Sequence, residues 1–384
     1  LDDARLIVAT HKKFERQSNS FEGETLMFKR LMAVLVAIAL LGLGLTDANA
    51  QNRDRVSAVM TRNMDTGSDF GFVVSATTPF DLLLAVTSTY QEIQASNIAE
   101  RAGGIAREIQ ATRPYLVGLQ EVTTLRTGPY GGPATTVVAD GLTSLLASLA
   151  QRGLHYKPVA IQMNADVEAP AFDQSFSLFD VRVTDFDVML ARTDLPVSEF
   201  KLEGVQQQHF NAMLVFTTPT GQSIPFPRGW IAIDTKLRGK SYRVLNTHLE
   251  TFNLDLQAAQ AIELVNGPAI SHLPVILAGD FNSDADNPDP AQSPAYHILV
   301  SAGFLDVWNT IHPGDLGFTW PLHGEDPFTP SSSPNQRIDL IFTRGSGIKA
   351  RDIALTGNSL SDLTPSGLWP SDHAGVVASF KLLP

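Results

Sequence analysis

The sequence predicts an α+β domain, built from sheets with helices on the outside. Three observations predict it. Strand-like runs separated by turns rich in Gly, Pro, Asp and Asn fill the middle of the chain, a spacing that favours hairpins and antiparallel pairing. An apolar stripe near helical spacing (Ile93, Ile98, Ala102, Ile105, Ile109) is stopped by Pro114 and leads into a short buried strand, Tyr115 to Leu119, making one helix-to-strand unit. No internal repeat and no linker divides residues 51–384, so one domain is expected to hold them all. The composition, 43% hydrophobic and 18% charged over 384 residues, is that of a globular chain with a sizeable core.

The first fifty residues read differently. Met27-Phe28-Lys29-Arg30 precedes an apolar run from Leu31 to Leu45 and then Ala48-Asn49-Ala50: a basic region, a hydrophobic region and a small-residue cleavage site. The run is about 15 residues, short of the ~20 that cross a bilayer. Residues 27–50 are therefore expected to be a cleaved signal peptide, residues 1–26 an upstream extension outside the fold, and the mature protein secreted or periplasmic. A net charge of -12 argues against wide, non-specific binding to nucleic acid, while leaving room for a compact site that grips one phosphate. With no cysteine, thiolate nucleophiles, zinc–cysteine sites and disulfides are excluded.

Taken in order, Val56 to Thr61 reads as a strand running into Arg62-Asn63. Phe70 to Gln91 gives no firm pattern. A helix is expected from about Glu92, with Glu100, Arg107 and Glu108 outside its stripe, and the strand after Pro114 delivers Gln120-Glu121. A second helical stretch covers Ala139 to Gln151. Strands follow at Tyr156–Met163, Phe186–Ala191, Asn211–Thr217, Trp230–Leu237 and Tyr242–Thr247, then a helix from Asn253 to Val265 closed by Asn266-Gly267-Pro268. Pro274 to Ala278 is a buried strand. A short helix at Ser293–Ala302, a Pro/Ser loop from Pro321 to Asn335, and strands at Arg337–Thr343 and Ala374–Leu382 complete the chain.

The strand ends carry the chemistry. After Ala278 the chain reads Gly279-Asp280-Phe281-Asn282, and alternation places Asp280 and Asn282 on one face. Asp280, Asn282, Asp284 and Asp286 mimic the spacing of a calcium-binding loop, but Ala285 and Ala291 stand where such a loop needs Gly and a bidentate Glu, and Pro288 sits at its ninth position. Alternation also groups Asn246, His248 and Glu250. Arg337-Ile338-Asp339 sets an Asp among apolar strand residues, which is costly unless it is paired, and Arg337 is the obvious partner. Ser371-Asp372-His373 leads into the last strand.

This ordered set (Asn63, Gln120-Glu121, Thr247-His248-Leu249, Gly279-Asp280-Phe281-Asn282, Arg337-x-Asp339 and Ser371-Asp372-His373) resembles the endonuclease/exonuclease/phosphatase superfamily, with its DNase I-like fold. The resemblance spans nearly all of the mature chain. It implies a four-layer α/β/β/α sandwich, two packed and mostly antiparallel sheets flanked by helices, with the site where the strand ends meet. It implies a divalent ion, Mg²⁺ first with Mn²⁺ or Ca²⁺ as alternatives, held by Glu121 with help from Asn63 and Asp372. His373 then corresponds to the general base, oriented by Asp339; Asp280 and Asn282 position or help deprotonate the attacking water; His248 hydrogen-bonds a phosphate oxygen or protonates the leaving group. Asp65 matches a carboxylate that only some members carry, and Glu250 stands where members vary, either tuning His248 or facing solvent.

The substrate implied is a phosphate ester: nucleic acid, phospholipid or inositol phosphate. An endonuclease-like phosphodiesterase comes slightly ahead of sphingomyelinase-like or inositol-phosphatase-like action, with a catalytically inactive binding module as the reading of another class. Arg62, Arg126 and Arg337 are the candidates for gripping a nucleic-acid backbone; Phe226 and Trp320 are the candidates for entering a bilayer. The chain is expected to act as a monomer with no stable protein partner.

Overall fold

A computed structural model describes residues 56–323 and 334–383, so the expectations for residues 1–50, and for most of the Pro/Ser loop, lie outside the described residues. The first half of the chain holds β1 (Val56–Asn63), α1 (Gly71–Ser75), α2 (Pro79–Ala95), α3 (Ile98–Thr112), β2 (Leu116–Pro129), β3 (Thr136–Asp140), α4 (Gly141–Gln151), β4 (Tyr156–Phe172) and β5 (Leu178–Arg192). The second half holds β6 (Phe200–His209), β7 (Leu214–Thr217), β8 (Ser223–Phe226), β9 (Gly229–Leu237), β10 (Lys240–His248), α5 (Leu254–Asn266), β11 (Val275–Asp280), α6 (Pro294–Ser301), β12 (Leu305–Asp306), α7 (Val307–Ile311), β13 (Asp339–Arg344), β14 (Ile348–Thr356) and β15 (Gly375–Leu382).

Two large sheets form. The first runs β14-β15-β1-β2-β5-β4, with β3 added to β2; the second runs β12-β13-β11-β10-β9-β6; β7 and β8 make a separate ribbon. Alternation drives their packing. Val59, Met189, Ile231, Val244, Ile276 and Phe380 project from facing strands into one core between the sheets. The opposite faces are covered by helices. Ile105, Ile109, Leu145 and Leu149 of α3 and α4 pack on Val117, Leu119, Val188 and Leu190 of the first sheet. Ala261, Leu264 and Leu299 of α5 and α6 pack on Leu245, Leu277 and Phe342 of the second. The four-layer sandwich is the architecture the resemblance implied.

Among the described residues, two neighbouring pairs are parallel, β1 with β2 and β10 with β11, whereas the other strand pairs are antiparallel. Parallel pairing carries both C-terminal ends to the same edge. Register then sets the polar residues side by side: Asn63 beside Gln120 in the first sheet, and His248, Asp280 and Asp339 in one row across the second.

Some elements differ from expectation. The helical stripe belongs to two helices. A capping box of Thr78 and Asp81, with Pro79 at the first turn, starts α2 well before Glu92. Asn97 then breaks the run with φ 47° and caps α3 through the Glu100 N–H. Strands β4 and β5 are longer than predicted, and in β4 bulges at Pro158/Ala160 and Met163/Ala165 reset the alternation partway along. Edge strands β6 and β14, half exposed and rich in polar residues, carry no apolar pattern to be read.

Candidate active site

Glu121 stands on a bulge of β2, where pairing with β5 skips from Leu119 to Val122, and its backbone is left-handed at φ 53°. For a residue with a Cβ that conformation costs about 1–3 kcal/mol. It turns the carboxylate out of the strand's alternation and toward the seam between the sheets. Oε2 accepts the Thr66 N–H at 2.8 Å, and Oε1 accepts Asn63 Nδ2 at 2.9 Å. The same Asn63 nitrogen donates to Asp280 Oδ2 at 3.0 Å and lies 3.4 Å from His373 Nε2. Asn63 Oδ1 accepts the Asp65 N–H at 2.8 Å. Asn63 therefore spaces two carboxylates from opposite sheets and joins them to an imidazole.

His373 is held from its far side. Its Nδ1 donates to Asp339 Oδ2 at 2.8 Å, which leaves Nε2 facing Asp280 Oδ2 at 3.8 Å and Asp372 Oδ1 at 3.8 Å. Burial by itself depresses an imidazole, but the carboxylates of Asp339, Asp372 and Asp280 outweigh it and raise His373 well above its ordinary value. The backbone is fixed as well: Arg62, fully buried and ion-paired to Glu108 at 2.9 Å, donates to the His373 carbonyl. Asp339 is thus paired with His373 rather than with Arg337, whose guanidinium is spent on Asp306 at 2.9 Å and on Asp286.

His248 is set the opposite way. Arg228 Nη1 lies 2.9 Å from His248 Nδ1. A guanidinium can only donate, so Nδ1 is the bare nitrogen and the proton is on Nε2, which faces Asp280 Oδ2 at 3.7 Å. Burial, then the charges of Arg228 and His373, push His248 well below the usual imidazole range. It is a neutral hydrogen-bond donor. Asp280, between the two imidazoles, is pushed up to about 7, mainly by burial and then by Asp339.

Asp372 accepts the Trp320 indole N–H at 3.0 Å, and burial, with Asp65 and Glu121 adding to it, raises its pKa. Asn282 is not placed by alternation as expected: β11 ends at Asp280, and Asn282 adopts φ 47°. Its backbone N–H goes to Asp280 Oδ1 at 2.9 Å, while its side chain donates to the Leu249 carbonyl at 3.0 Å. Glu250 is corrected too. It neither tunes His248 nor faces solvent; it is buried, and its Oε1 accepts the N–H groups of Thr251 and Phe252. Asp65 is engaged by Arg101 at 3.2 Å, and despite its burial Arg101 and His323 hold its carboxyl well below the usual range.

Sequence reading missed Arg228, which lies in a turn between Pro227 and Gly229 with no pattern around it. It also missed Asp185 and Asp187, although an Asp in an apolar strand is the signal that found Asp339. Burial raises both, Asp185 to about 6 and Asp187 well above the carboxylate range.

The donor set suits a hard cation. One oxygen or nitrogen from each of Glu121, His248 and Asp280 lies within 4.8 Å of the others, and the same holds for Asp280, Asp339 and His373. Asp339 Oδ1 is buried without a hydrogen-bond partner. Carboxylate oxygens predominate, as Mg²⁺, Mn²⁺ and Ca²⁺ prefer.

Comparison with known proteins bears on the family and the fold. The sequence profile described as "Endonuclease/Exonuclease/phosphatase family" matches residues 95–373. Among solved structures, the chain is similar to a protein of that family from Leptotrichia buccalis (15% identity, TM-score 0.53, covering 85% of this chain and 100% of the other). A second, from Bacteroides thetaiotaomicron, is similar at 16% identity and TM-score 0.51, over 85% of this chain and 97% of the other. At these identities the likeness shows the fold. A search of curated protein sequences finds no match. With the profile covering most of the chain, the protein belongs to the endonuclease/exonuclease/phosphatase family, a superfamily of divalent-metal-dependent phosphoester hydrolases.

Proposed function

We propose that the protein is an exported, Mg²⁺-dependent phosphodiesterase that hydrolyses its substrate by attack of water. The observation that carries the reading is the His373–Asp339 pair at 2.8 Å, with Nε2 turned toward Asp280, Asn63 and Asp372 at the meeting of both sheets. Asp339 fixes the tautomer, so Nε2 is the atom that takes a proton from water. Asp280, poised near neutrality, shares in positioning and deprotonating that water. His248, kept neutral by burial and then by Arg228, donates from Nε2 to a phosphate oxygen; the lowered pKa favours that role over protonation of the leaving group. Glu121, flanked by Asn63 and Asp372, is the principal candidate to hold the ion. A bound divalent ion polarises the phosphoryl group and steadies the leaving oxygen. Export is supported by the basic, apolar and small-residue order of residues 27–50.

The nuclease reading of the substrate has lost two of its three guanidinium candidates. Arg62 and Arg337 are buried and paired with carboxylates, leaving Arg126. That observation favours a second reading, a phosphoester of a small or lipid alcohol that needs no extended basic track. The test is Mg²⁺-dependent hydrolysis of plasmid DNA, RNA, sphingomyelin, inositol phosphates and bis-p-nitrophenyl phosphate. Cleavage of the last and of at least one natural ester is expected, and is lost with EDTA. Hydrolysis of none, with metal bound, would replace the enzyme with a binding module.

A further inference from the structure

Beside the active site, the described residues hold a second set of oxygens that the protein itself leaves unmet. Asp187 is 0% exposed, and neither of its carboxylate oxygens has a hydrogen-bond partner. Oδ1 of Asn164, a residue 3% exposed, and Oδ1 of Asp185 are in the same condition. All belong to the β4–β5 pair. Asp185 and Asp187, two apart on β5, share the face that carries Met189 into the core between the sheets. The bulge between Met163 and Ala165 brings Asn164 of β4 next to them, where its Nδ2 donates to Asp185 Oδ2 at 3.2 Å. That bond uses one of the two N–H groups of the amide and orients its oxygen as an acceptor. Asp187 itself lies opposite the Gln120-Glu121 bulge, because β5 pairs Val188 with Leu119 and Phe186 with Val122.

Four acceptors without donors, all closed to solvent, restrict what can satisfy them. One proton shared between the carboxyls makes one hydrogen bond and leaves the remaining oxygens unmet. One water donates two. Arg228 lies near enough for its charge to favour both carboxylates, but its Nη1 is given to His248 and neither Asp187 oxygen accepts a hydrogen bond from it. A hard divalent cation takes six or more oxygens, carboxylate and amide carbonyl alike. It is also smaller than the water that these atoms exclude. We infer that Asn164, Asp185 and Asp187 form a second divalent-cation site, distinct from the one at Glu121, that takes Ca²⁺, Mn²⁺ or Mg²⁺ through oxygen ligands alone.

The test is equilibrium binding of Mn²⁺, read from the EPR signal of the free ion, to the purified protein and to Asp187→Asn, Glu121→Gln and the double variant. The expected stoichiometry is two equivalents for the wild type, one for each single variant and none for the double. Thermal melts give an independent reading. Without metal, Asp187→Asn melts no lower than the wild type, because the change removes a buried charge; Mn²⁺ raises the Tm of Glu121→Gln but not of the double variant. If Asp187→Asn binds Mn²⁺ with the stoichiometry and affinity of the wild type, the second site is overturned while the active-site metal stands. If the wild type binds none, both fall. Should Asp187→Asn lack a cooperative melt, Asn164→Ala replaces it: about a tenfold loss of affinity for one of two Mn²⁺ ions supports the site, and unchanged affinity for both overturns it.

Discussion

His373 and His248 are two imidazoles that their neighbours drive in opposite directions, and that divergence assigns their roles. Three carboxylates favour the protonated form of His373, whereas burial and a guanidinium favour the neutral form of His248. Replacing either by alanine should lower kcat/KM by ~10²–10⁴-fold, the range for a positioned acid or base, with an unchanged circular dichroism spectrum; wild-type turnover would refute the assignment. The pH profile separates base from acid. As a base, His373 works only when deprotonated, so kcat/KM rises with pH toward its raised pKa. Asp339→Asn removes one cause of that rise and should move the rising limb to lower pH. A limb that falls with pH instead would make His373 the acid. Arg228 acts through His248, and its hydrogen bond is charge-assisted. Arg228→Ala should cost about 1.5–3 kcal/mol, read as a fall in kcat/KM of roughly ten- to hundredfold. At this scale the sequence was most legible where function forces a fixed local pattern: Asp339 in its apolar strand, Asp280 at a strand end, and Asp372-His373 before the last strand. It was least legible where long-range packing decides. Nothing local to Arg228 shows that it meets a histidine 20 positions on, and nothing local to Glu121 shows its left-handed backbone.

Helix α3 presents two adjacent glycines to different surroundings. A Cβ on Gly103 would touch only Ser148 Oγ at 3.9 Å, whereas one on Gly104 would meet Pro370 Cγ at 2.9 Å and Cβ at 3.0 Å. Gly103→Ala should therefore stabilise the protein by about 0.5–1 kcal/mol, the ordinary gain inside a helix. Gly104→Ala should destabilise it by about 1–3 kcal/mol through overpacking. Urea denaturation reads both signs, and equal effects would show that the α3 contact with Pro370 is not tight. Because Pro370 precedes Ser371-Asp372-His373, Gly104→Ala should also lower kcat, while Gly103→Ala should not. Gly118 serves a similar end within a strand. A Cβ there would collide with the Asn246 side chain, which crosses between the sheets to accept from Gln120 at 2.6 Å. Elements with one strong face were readable in advance: α5 behind its Asn253 cap, and the fully buried β11. Edge strands β6 and β14 were not. Their stability comes from pairing with β9 and β15, and pairing leaves no mark on a half-exposed sequence.

Across the whole molecule, acids gather at the seam where the two sheets meet, and oxygens of Asp185, Asp187 and Asp339 there find no donor. Asp280 is raised to about 7, Asp185 to about 6, and Asp187 and Asp372 are raised as well, burial being the first cause in each. An acid whose folded pKa lies above its unfolded value binds protons more tightly when folded. Its contribution is greatest at low pH and is lost as pH rises from the ordinary carboxylate range, about 4, toward the folded values. His373, also raised, adds to the loss above its unfolded pKa of about 6.5. His248 opposes it below that point, because an imidazole held neutral gives up stability in acid. Asp65 opposes it only below about 4. Four raised acids against one lowered imidazole leave a net fall between pH 4 and 7. Metal-free protein should therefore melt at a higher temperature at pH 5.5 than at pH 8, and Asp280→Asn should flatten that slope. Divalent cations reverse the order. They require deprotonated carboxylates and bind only the folded seam, so excess Mn²⁺ should raise Tm strongly at pH 8 and little at pH 5.5. Differential scanning calorimetry with EDTA, and then with Mn²⁺, at the two pH values measures all four quantities. An EDTA-treated protein that is more stable at pH 8 would mean that the seam carboxylates find their partners within the protein itself, and that no cation is needed to hold the sheets together there.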